Sequence, residues 1–136
     1  MKATFLLDTC AAIWVMDGTL PNAVGELTEV FRQGRTTYVS PITAWEVGMS
    51  ARKGRFVSSL SPQRWFERLM GLRGMALADM PPEVLIASQH LPSFLVGDPA
   101  DRVIAATARE YGFTVVTRDK PLLDYGKQGY LSVLEC

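Results

Sequence analysis

The sequence predicts one α/β domain over residues 1–136, with a central parallel sheet flanked by helices. Short apolar segments typical of strands alternate along the chain with longer segments typical of helices. The segments at residues 3–7 and 113–117 lack the alternation of a half-exposed strand, so we expect the sheet to be covered on both sides. With 136 residues, of which 48% are hydrophobic, the chain can fill one core without disulfide bonds.

Four segments are predicted to form strands from their apolar and β-branched content. The first predicted strand ends just before Asp8, and the last ends just before Arg118 and Asp119. The predicted strands are residues 3–7, 36–39, 75–78 and 113–117.

Proline marks the start of four predicted helices. Ser40 and Ser61 each precede a proline, a pattern in which serine caps the helix and proline takes its first position. A Pro-Pro and an Asp-Pro pair open two more helices. In the helix after Ser40, we expect Ile42, Trp45 and Met49 to form the apolar stripe. The predicted helices are residues 9–16, 22–33, 41–53, 62–72, 82–89 and 99–112.

The charges are balanced in number but not in position. The chain has 14 Lys and Arg against 14 Asp and Glu, yet the segment from Arg32 to Arg73 holds eight basic and two acidic side chains. This segment could contact a polyanion, or it could simply be a solvated face. Asp8 interrupts the apolar start of the chain, and two distant cysteines make no disulfide framework, so we expect a reduced cytoplasmic protein without a membrane span.

Acidic residues follow the predicted strands at the points where a parallel sheet has its carboxyl edge. Asp8 ends the first strand and Asp119 follows the last, so both should lie on one rim. Glu46 lies in the helix after the second strand, and Asp98 and Asp101 lie in the first turn of the helix before the last strand. All five carboxylates can therefore converge there.

Each acid also has a simpler interpretation. Asp98 and Asp119 could only cap helices, Asp101 could only complement the helix dipole, and a lone Glu46 could be a solvated side chain. Asp101, however, shares a helical face with small apolar residues, so we expect its carboxylate to point inward. Asp8 fits the simpler interpretation least, because burying an unpaired carboxylate beside a buried strand is costly.

A cluster of carboxylates would need a cation. At separations of about 5 Å, each pair repels by roughly 3 kcal/mol at an effective dielectric of 20. Oxygen ligands select hard cations such as Mg²⁺ or Mn²⁺, whereas zinc is disfavoured because His90 is the single histidine. The chain lacks the motifs of serine hydrolases, P-loops and dinucleotide-binding folds.

Four segments together resemble the PIN-domain nucleases, and more closely the VapC-type toxins of toxin-antitoxin pairs. They are FLLDT at residues 5–9, VSPITAWEV at 39–47, GDPADRVIAATA at 97–108 and VVTRD at 115–119. The resemblance implies a PIN-like three-layer fold and an acidic pocket for one or two Mg²⁺ or Mn²⁺ ions. The implied site residues are Asp8, Glu46, Asp101 and Asp119 as catalytic metal ligands, Asp98 as an additional acid, and Thr9 and Thr117 as supporting hydroxyls.

The resemblance also implies an activity and partners. It implies metal-dependent RNA hydrolysis that leaves a 5′-phosphate and a 3′-hydroxyl, a homodimer, and a cognate VapB-type antitoxin whose C-terminal segment blocks the pocket. Basic residues near the rim could hold the RNA backbone, with a more distant group extending the track. These are Arg102, Arg118 and Lys120 at the rim, and Arg52, Lys53 and Arg55 beyond it.

Two other functions are weighed against this one. A phospho-acceptor or phosphatase domain also ends its first strand on Asp, but needs a strand-end Lys or a D-x-D pair that Asp8-Thr9-Cys10 does not provide. A catalytically inactive PIN-like module that binds RNA or protein remains the alternative.

Overall fold

The computed structural model describes residues 2–19, 25–93 and 98–136, which form five strands and seven helices. The strands are β1 (Phe5–Leu7), β2 (Thr37–Val39), β3 (Met75–Leu77), β4 (Thr114–Thr117) and β5 (Ser132–Glu135). The helices are α1 (Thr9–Asp17), α2 (Gly25–Gln33), α3 (Pro41–Arg52), α4 (Pro62–Met70), α5 (Pro82–Ala87), α6 (Pro99–Tyr111) and α7 (Lys120–Lys127).

All five strands pair in parallel, in the order β3-β2-β1-β4-β5. Leu6 of β1 lies opposite Tyr38 of β2 on one side and Val115 of β4 on the other. After β1 the chain builds one half of the sheet and then returns to build the other half on the far side of β1. Such a change of direction, here between β1 and β4, opens a crevice at the carboxyl ends of the strands, where α/β proteins bind ligands.

Helices cover both faces of the sheet, and each face has its own core. Phe5 and Leu7 point to one face, with Val47 of α3 and Leu69 of α4. Leu6 points to the other face, which α6 and α7 cover. Leu6 and Leu7 are both 0% exposed, so truncating either to Ala should cost about 2–5 kcal/mol. The predicted class, a central parallel sheet flanked by helices, is confirmed.

The predicted helix starts are confirmed more closely than the helix ends. Ser40 Oγ accepts from the Ile42 amide at 3.1 Å and Ser61 Oγ from the Arg64 amide at 3.2 Å. The helix after Ser61 ends at Met70, so Leu72 lies beyond it, 37% exposed. The part of the second predicted helix before Gly25, residues 22–24, lies outside the described residues.

One prediction about the elements is wrong, and one strand was missed. Trp45 is 52% exposed, and the buried side of α3 instead carries Thr43 and Val47. Strand β5 was not predicted, because it is an edge strand whose segment follows a glycine and mixes polar with apolar residues. Within the described residues, no helix is long and apolar enough to cross a membrane, and the cysteines Cys10 and Cys136 are free.

Candidate active site

Asp8 is fixed at the carboxyl end of β1 by hydrogen bonds to both oxygens. It caps α1, where Oδ1 accepts from the Ala11 amide at 2.7 Å, and its Oδ2 accepts from the Thr117 hydroxyl at 2.5 Å. The side chain is only 3% exposed. Burial raises the pKa of Asp8, and the two hydrogen bonds act in the opposite direction. The fold therefore holds this carboxylate in one position at the junction of β1 and β4.

Thr117 connects the ends of the two central strands. While its hydroxyl donates to Asp8, its Oγ1 accepts from the Asp119 amide at 2.9 Å. Thr117 is fully buried, so this one hydroxyl satisfies a carboxylate and a backbone amide in the absence of water.

Asp119 does not have the simple capping role. It precedes α7 at the cap position, yet its side chain makes no cap hydrogen bond. Its Oδ2 is buried and has no hydrogen-bond partner among the described residues. A buried carboxylate oxygen without a donor is costly, which indicates that a cation or a proton belongs beside it.

Glu46 reaches the same rim from α3. The Thr9 hydroxyl donates to Glu46 Oε1, and Thr9 Oγ1 also lies 3.0 Å from Thr43 Oγ1. Burial raises the pKa of Glu46, and the negative charges of Asp98, Asp8 and Asp119 raise it further. Glu46 is therefore part of the carboxylate cluster rather than a solvated helix residue.

Asp98 and Asp101 differ in role although they share one helical turn. Asp98 is exposed and caps α6, accepting from the Asp101 amide at 3.0 Å. Asp101 is partly buried, and its pKa is raised to about 9, first by burial. A hydrogen bond to Asp119, which exists only when Asp101 is protonated, raises it further, as do the charges of Asp98, Asp119 and Glu46. In the metal-free protein, Asp101 is therefore protonated at neutral pH.

The structure thus brings all five predicted acids into one electrostatic cluster. Cys10, which sequence reasoning did not assign to the rim, lies within the field of Asp8, Glu46, Asp119 and Asp101. Although the residue is exposed, partial desolvation of its thiol and these four charges raise the pKa of the thiol to about 11. Its position two residues after Asp8 was the available signal, because the first turn of α1 must lie at the same edge.

The donor set fits a hard divalent cation by chemistry. All the acids offer oxygen, and the unpaired Oδ2 of Asp119 marks a place where positive charge is lacking. As the side chains stand, however, no three His, Cys, Asp or Glu residues of the described ranges are arranged to hold an ion. Binding would therefore require the less restrained side chains to rotate, while Asp8 is already held by Thr117 and Ala11.

The predicted basic residues lie in different surroundings. The Arg118 guanidinium stacks 3.6 Å above the ring centre of Trp14, and Lys120 Nζ pairs with Asp124 Oδ2 at 2.7 Å. Lys53 and Arg55, both exposed, line a cavity that also includes Thr9 and Glu46. Arg52 is the exposed last residue of α3, Arg102 is half-buried in the first turn of α6, and His90 is exposed.

The chain belongs to the PIN domain family. The family's model matches residues 5–128, which include both strand ends of the acidic rim and the helices that carry Glu46 and Asp101. The family resemblance of the four sequence segments is thereby confirmed.

Among characterised proteins, the chain is similar to Ribonuclease VapC22 of Mycobacterium tuberculosis. The two are 31% identical over 121 residues, or 88% of this chain and 89% of that protein. Two crystal structures share the fold: VapBC2 from Rickettsia felis bound to a promoter DNA fragment, and DNA-bound VapBC from Salmonella typhimurium. The first has a TM-score of 0.68 at 16% identity and covers 97% of this chain and 98% of that chain. The second has a TM-score of 0.67 at 21% identity and covers 98% of each.

Proposed function

We propose that this protein, as a single PIN domain over residues 1–136, is a metal-dependent endoribonuclease that acts as the toxin of a toxin-antitoxin pair. The observation that carries the proposal is the carboxylate cluster at the change of direction between β1 and β4, in which a buried Asp119 oxygen has no hydrogen-bond donor among the residues that the structure describes. Similarity to a ribonuclease of the VapC type over nearly the whole chain supports the reaction class.

The proposed ligands of Mg²⁺ or Mn²⁺ are Asp8, Glu46, Asp101 and Asp119, with Asp98 as an additional acid. When bound, such a cation would make a water molecule more acidic and stabilise negative charge on the phosphodiester. The chain's own residues orient the ligands. Thr117 holds Asp8, and Thr9 holds Glu46.

Proton balance also favours a cation at this site. Because the pKa of Asp101 is raised to about 9, the metal-free rim retains a proton at neutral pH, and burial shifts the pKa values of Asp8 and Glu46 in the same direction. A divalent cation offsets the same repulsion and releases that proton, so metal binding should strengthen as pH rises.

The proposed RNA path follows basic side chains near the acidic rim. Arg102, Arg118 and Lys120 lie on the helices and loops that carry Asp101 and Asp119, and would contact phosphates near the cleaved bond. Arg52, Lys53 and Arg55 would extend this path at the end of α3. The ion pair of Lys120 with Asp124 is exposed, so it is weak and leaves Lys120 available.

The proposed partners are RNA as substrate, a VapB-type antitoxin and a second copy of this chain. The two structural neighbours described above are VapBC complexes, which supports an antitoxin partner. An RNA-cleaving toxin acts where cellular RNA is translated, so we propose that it works in the cytoplasm.

Cleavage of a mixed RNA pool by the purified protein tests the function. We expect cuts with Mg²⁺ or Mn²⁺, none with EDTA, and none with Asp8→Asn. Asp17→Asn is the matched control, since it makes the same change at the exposed end of the same helix and should cut like the parent. If folded, antitoxin-free protein binds RNA but cuts none in any condition, the protein is an inactive RNA-binding module and not a nuclease.

A further inference from the structure

A groove runs from the acidic rim along one side of α3. Its cavity measures about 250 Å³ and lies between α1, α3 and the segment after α3. Glu46, Met49 and Lys53 line it at intervals of three and four residues, which places them on one helical face. Lys53, the first residue after α3, lies seven positions beyond Glu46, or about 10 Å along the helix axis. We call this cavity the α1–α3 groove.

The floor of the α1–α3 groove is apolar and suits a flat ring. Ile13 of α1, Met49 of α3 and Phe56 are half-buried and line it. Phe56 packs edge to face on buried Trp65, with ring centres 5.7 Å apart, so its position is fixed. The volume lies just below the range of about 300–1,000 Å³ typical of drug-sized ligands, so it fits a single nucleobase rather than a larger molecule.

The far end of the α1–α3 groove is positively charged. Lys53 and Arg55 are exposed, and neither takes part in an ion pair within the described ranges, where the cations of such pairs are Arg32 and Lys120. The groove thus joins a carboxylate cluster to two uncompensated cations across an apolar floor. This is the arrangement used for single-stranded nucleic acid, in which cations hold phosphates and apolar or aromatic side chains hold bases.

We propose that the α1–α3 groove holds the base of one unpaired RNA nucleotide next to the cleaved bond, with Lys53 and Arg55 binding the phosphate beyond it. This inference rests on the proposed ribonuclease function and adds a structural requirement to it. The nucleotide in the groove must be unstacked, because a base held in a duplex cannot enter a cavity on the protein surface.

The cationic end is tested by binding of a short labelled single-stranded RNA that contains a cleavage site, measured by fluorescence anisotropy in EDTA. We expect the double variant Lys53→Ala/Arg55→Ala to bind about tenfold more weakly. Its salt dependence should fall by roughly 1.4 in the slope of log K against log salt, the value for two lost contacts to a single strand. Arg64→Ala/Arg68→Ala, which removes two exposed charges from α4, is the matched control and should change affinity less than about twofold.

The base-binding part is tested with two further versions of the same RNA. One carries a single abasic nucleotide on the 5′ side of the cleaved bond, and the other carries it on the 3′ side. We expect one of the two abasic RNAs to bind about tenfold more weakly than the intact RNA. Cys10→Trp, which fills the groove from an exposed position on α1, should bind intact and abasic RNA equally. Glu110→Trp, an equally bulky change at the exposed end of α6, should still distinguish them.

The outcomes separate this inference from the function on which it rests. If the protein cuts RNA but the two double variants behave alike, Lys53 and Arg55 do not bind the phosphate. If abasic RNA binds as well as intact RNA whichever side carries the abasic nucleotide, the groove is not a base site. If only binding of a purified protein partner responds to Lys53→Ala/Arg55→Ala, the groove is a protein contact. If neither parent nor variants bind or cut RNA, the proposed function itself is wrong.

Discussion

Asp8 and Asp101 are both carboxylates of the same rim, yet they have different neighbours. Asp8 has a hydrogen-bond donor on each oxygen, one from its own helix and one from Thr117. Asp101 lies against Asp119, a second acid, and retains its proton to a pH of about 9. The hydrogen bonds of the fold position Asp8, whereas the Asp101 side of the site is stable only when a proton or another cation lies there.

The comparison teaches where stability and function oppose each other. On the Asp8 side, groups that hold the carboxylate also tie β1 to β4, so removing them should harm folding. On the Asp101 side, neighbouring negative charges force the carboxylate to take up a proton on folding, so an uncharged side chain should help folding and harm activity. Strained, like-charged sites of this kind are typical of function rather than of structure.

The largest expected effect is that of Asp101→Asn. We expect RNA cleavage to fall by more than about 100-fold, because a proposed metal ligand is lost. We also expect the metal-free protein to melt higher by roughly 4 °C, the value for about 1 kcal/mol of relieved repulsion in a small domain. Cleavage assays and thermal melts in EDTA measure the two effects.

The matched control for Asp101→Asn is Asp98→Asn, which leaves a side-chain oxygen to cap α6. Its melting temperature should change little, because Asp98 is exposed. A clear fall in the melting temperature of Asp101→Asn would mean that Asp101 stabilises the helix and is not held in a repulsive cluster.

Thr117→Val tests the other side of the comparison. The substitution keeps the shape of the side chain but leaves the buried Asp8 Oδ2 and the Asp119 amide without their partner. We expect a loss of about 2 kcal/mol in the free energy of unfolding, measured by urea denaturation. Thr117→Ser, which keeps the hydroxyl, should retain most of the free energy of unfolding that Thr117→Val loses. Equal stability of the Val and Ser variants would show that the hydroxyl does not hold the strand ends together.

Much of this fold could be predicted from the sequence, because its signals are local. Apolar segments without alternation identify central strands, and a proline after Ser40 or Ser61 identifies a helix start. The edge strand β5 has neither signal, since one side of an edge strand needs no apolar residues. The exposed Trp45 shows a related limit: a periodic pattern does not reveal which side of a helix has something to pack against.

The convergence of the acids at one rim was predictable from the sequence, but the hydrogen bonding and protonation of each acid were not. Strand order places Asp8 and Asp119 at one rim, as expected of residues that end neighbouring parallel strands. Which acid is satisfied and which is not depends on Thr117, and the link between Thr117 and Asp8 spans 109 residues. Sequence spacing carries no information on such a contact.

The pH dependence of stability should also separate the two sides. The pKa of Asp101 is raised in the folded state, so its proton stabilises the fold fully below about pH 4, and this stability is lost as pH rises towards 9. Between about pH 6 and pH 8.5, stability of the metal-free protein should therefore fall, by at most about 1.4 kcal/mol per pH unit and by less because Asp101 is partly exposed. Urea denaturation at several pH values measures the slope.

Asp101→Asn should flatten the slope of stability against pH, because asparagine is uncharged and takes up no proton. Mn²⁺ should also flatten it, because the cation takes the place of the proton beside Asp101. Thr117→Val should lower stability without flattening the slope, because Asp101 is unchanged and the lost hydrogen bond can only raise the pKa of Asp8. A slope that is equal in Asp101→Asn and in the parent would assign the titration to another group and remove the distinction between the two carboxylates.

The smallest expected effect is on stability and concerns the contact between Arg118 and Trp14 at the edge of the acidic rim. Arg118 follows β4 and stacks on Trp14 of α1, so it joins the loop before Asp119 to the helix after Asp8. Because Arg118 is exposed, Arg118→Ala should cost only about 0.5–1 kcal/mol of stability. If the same residue also contacts RNA, Arg118→Ala should weaken RNA binding more than Trp14→Leu, which removes the stack but keeps the cation. Equal losses of RNA affinity in both variants would mean that Arg118 serves the site by positioning the loop and not by binding phosphate.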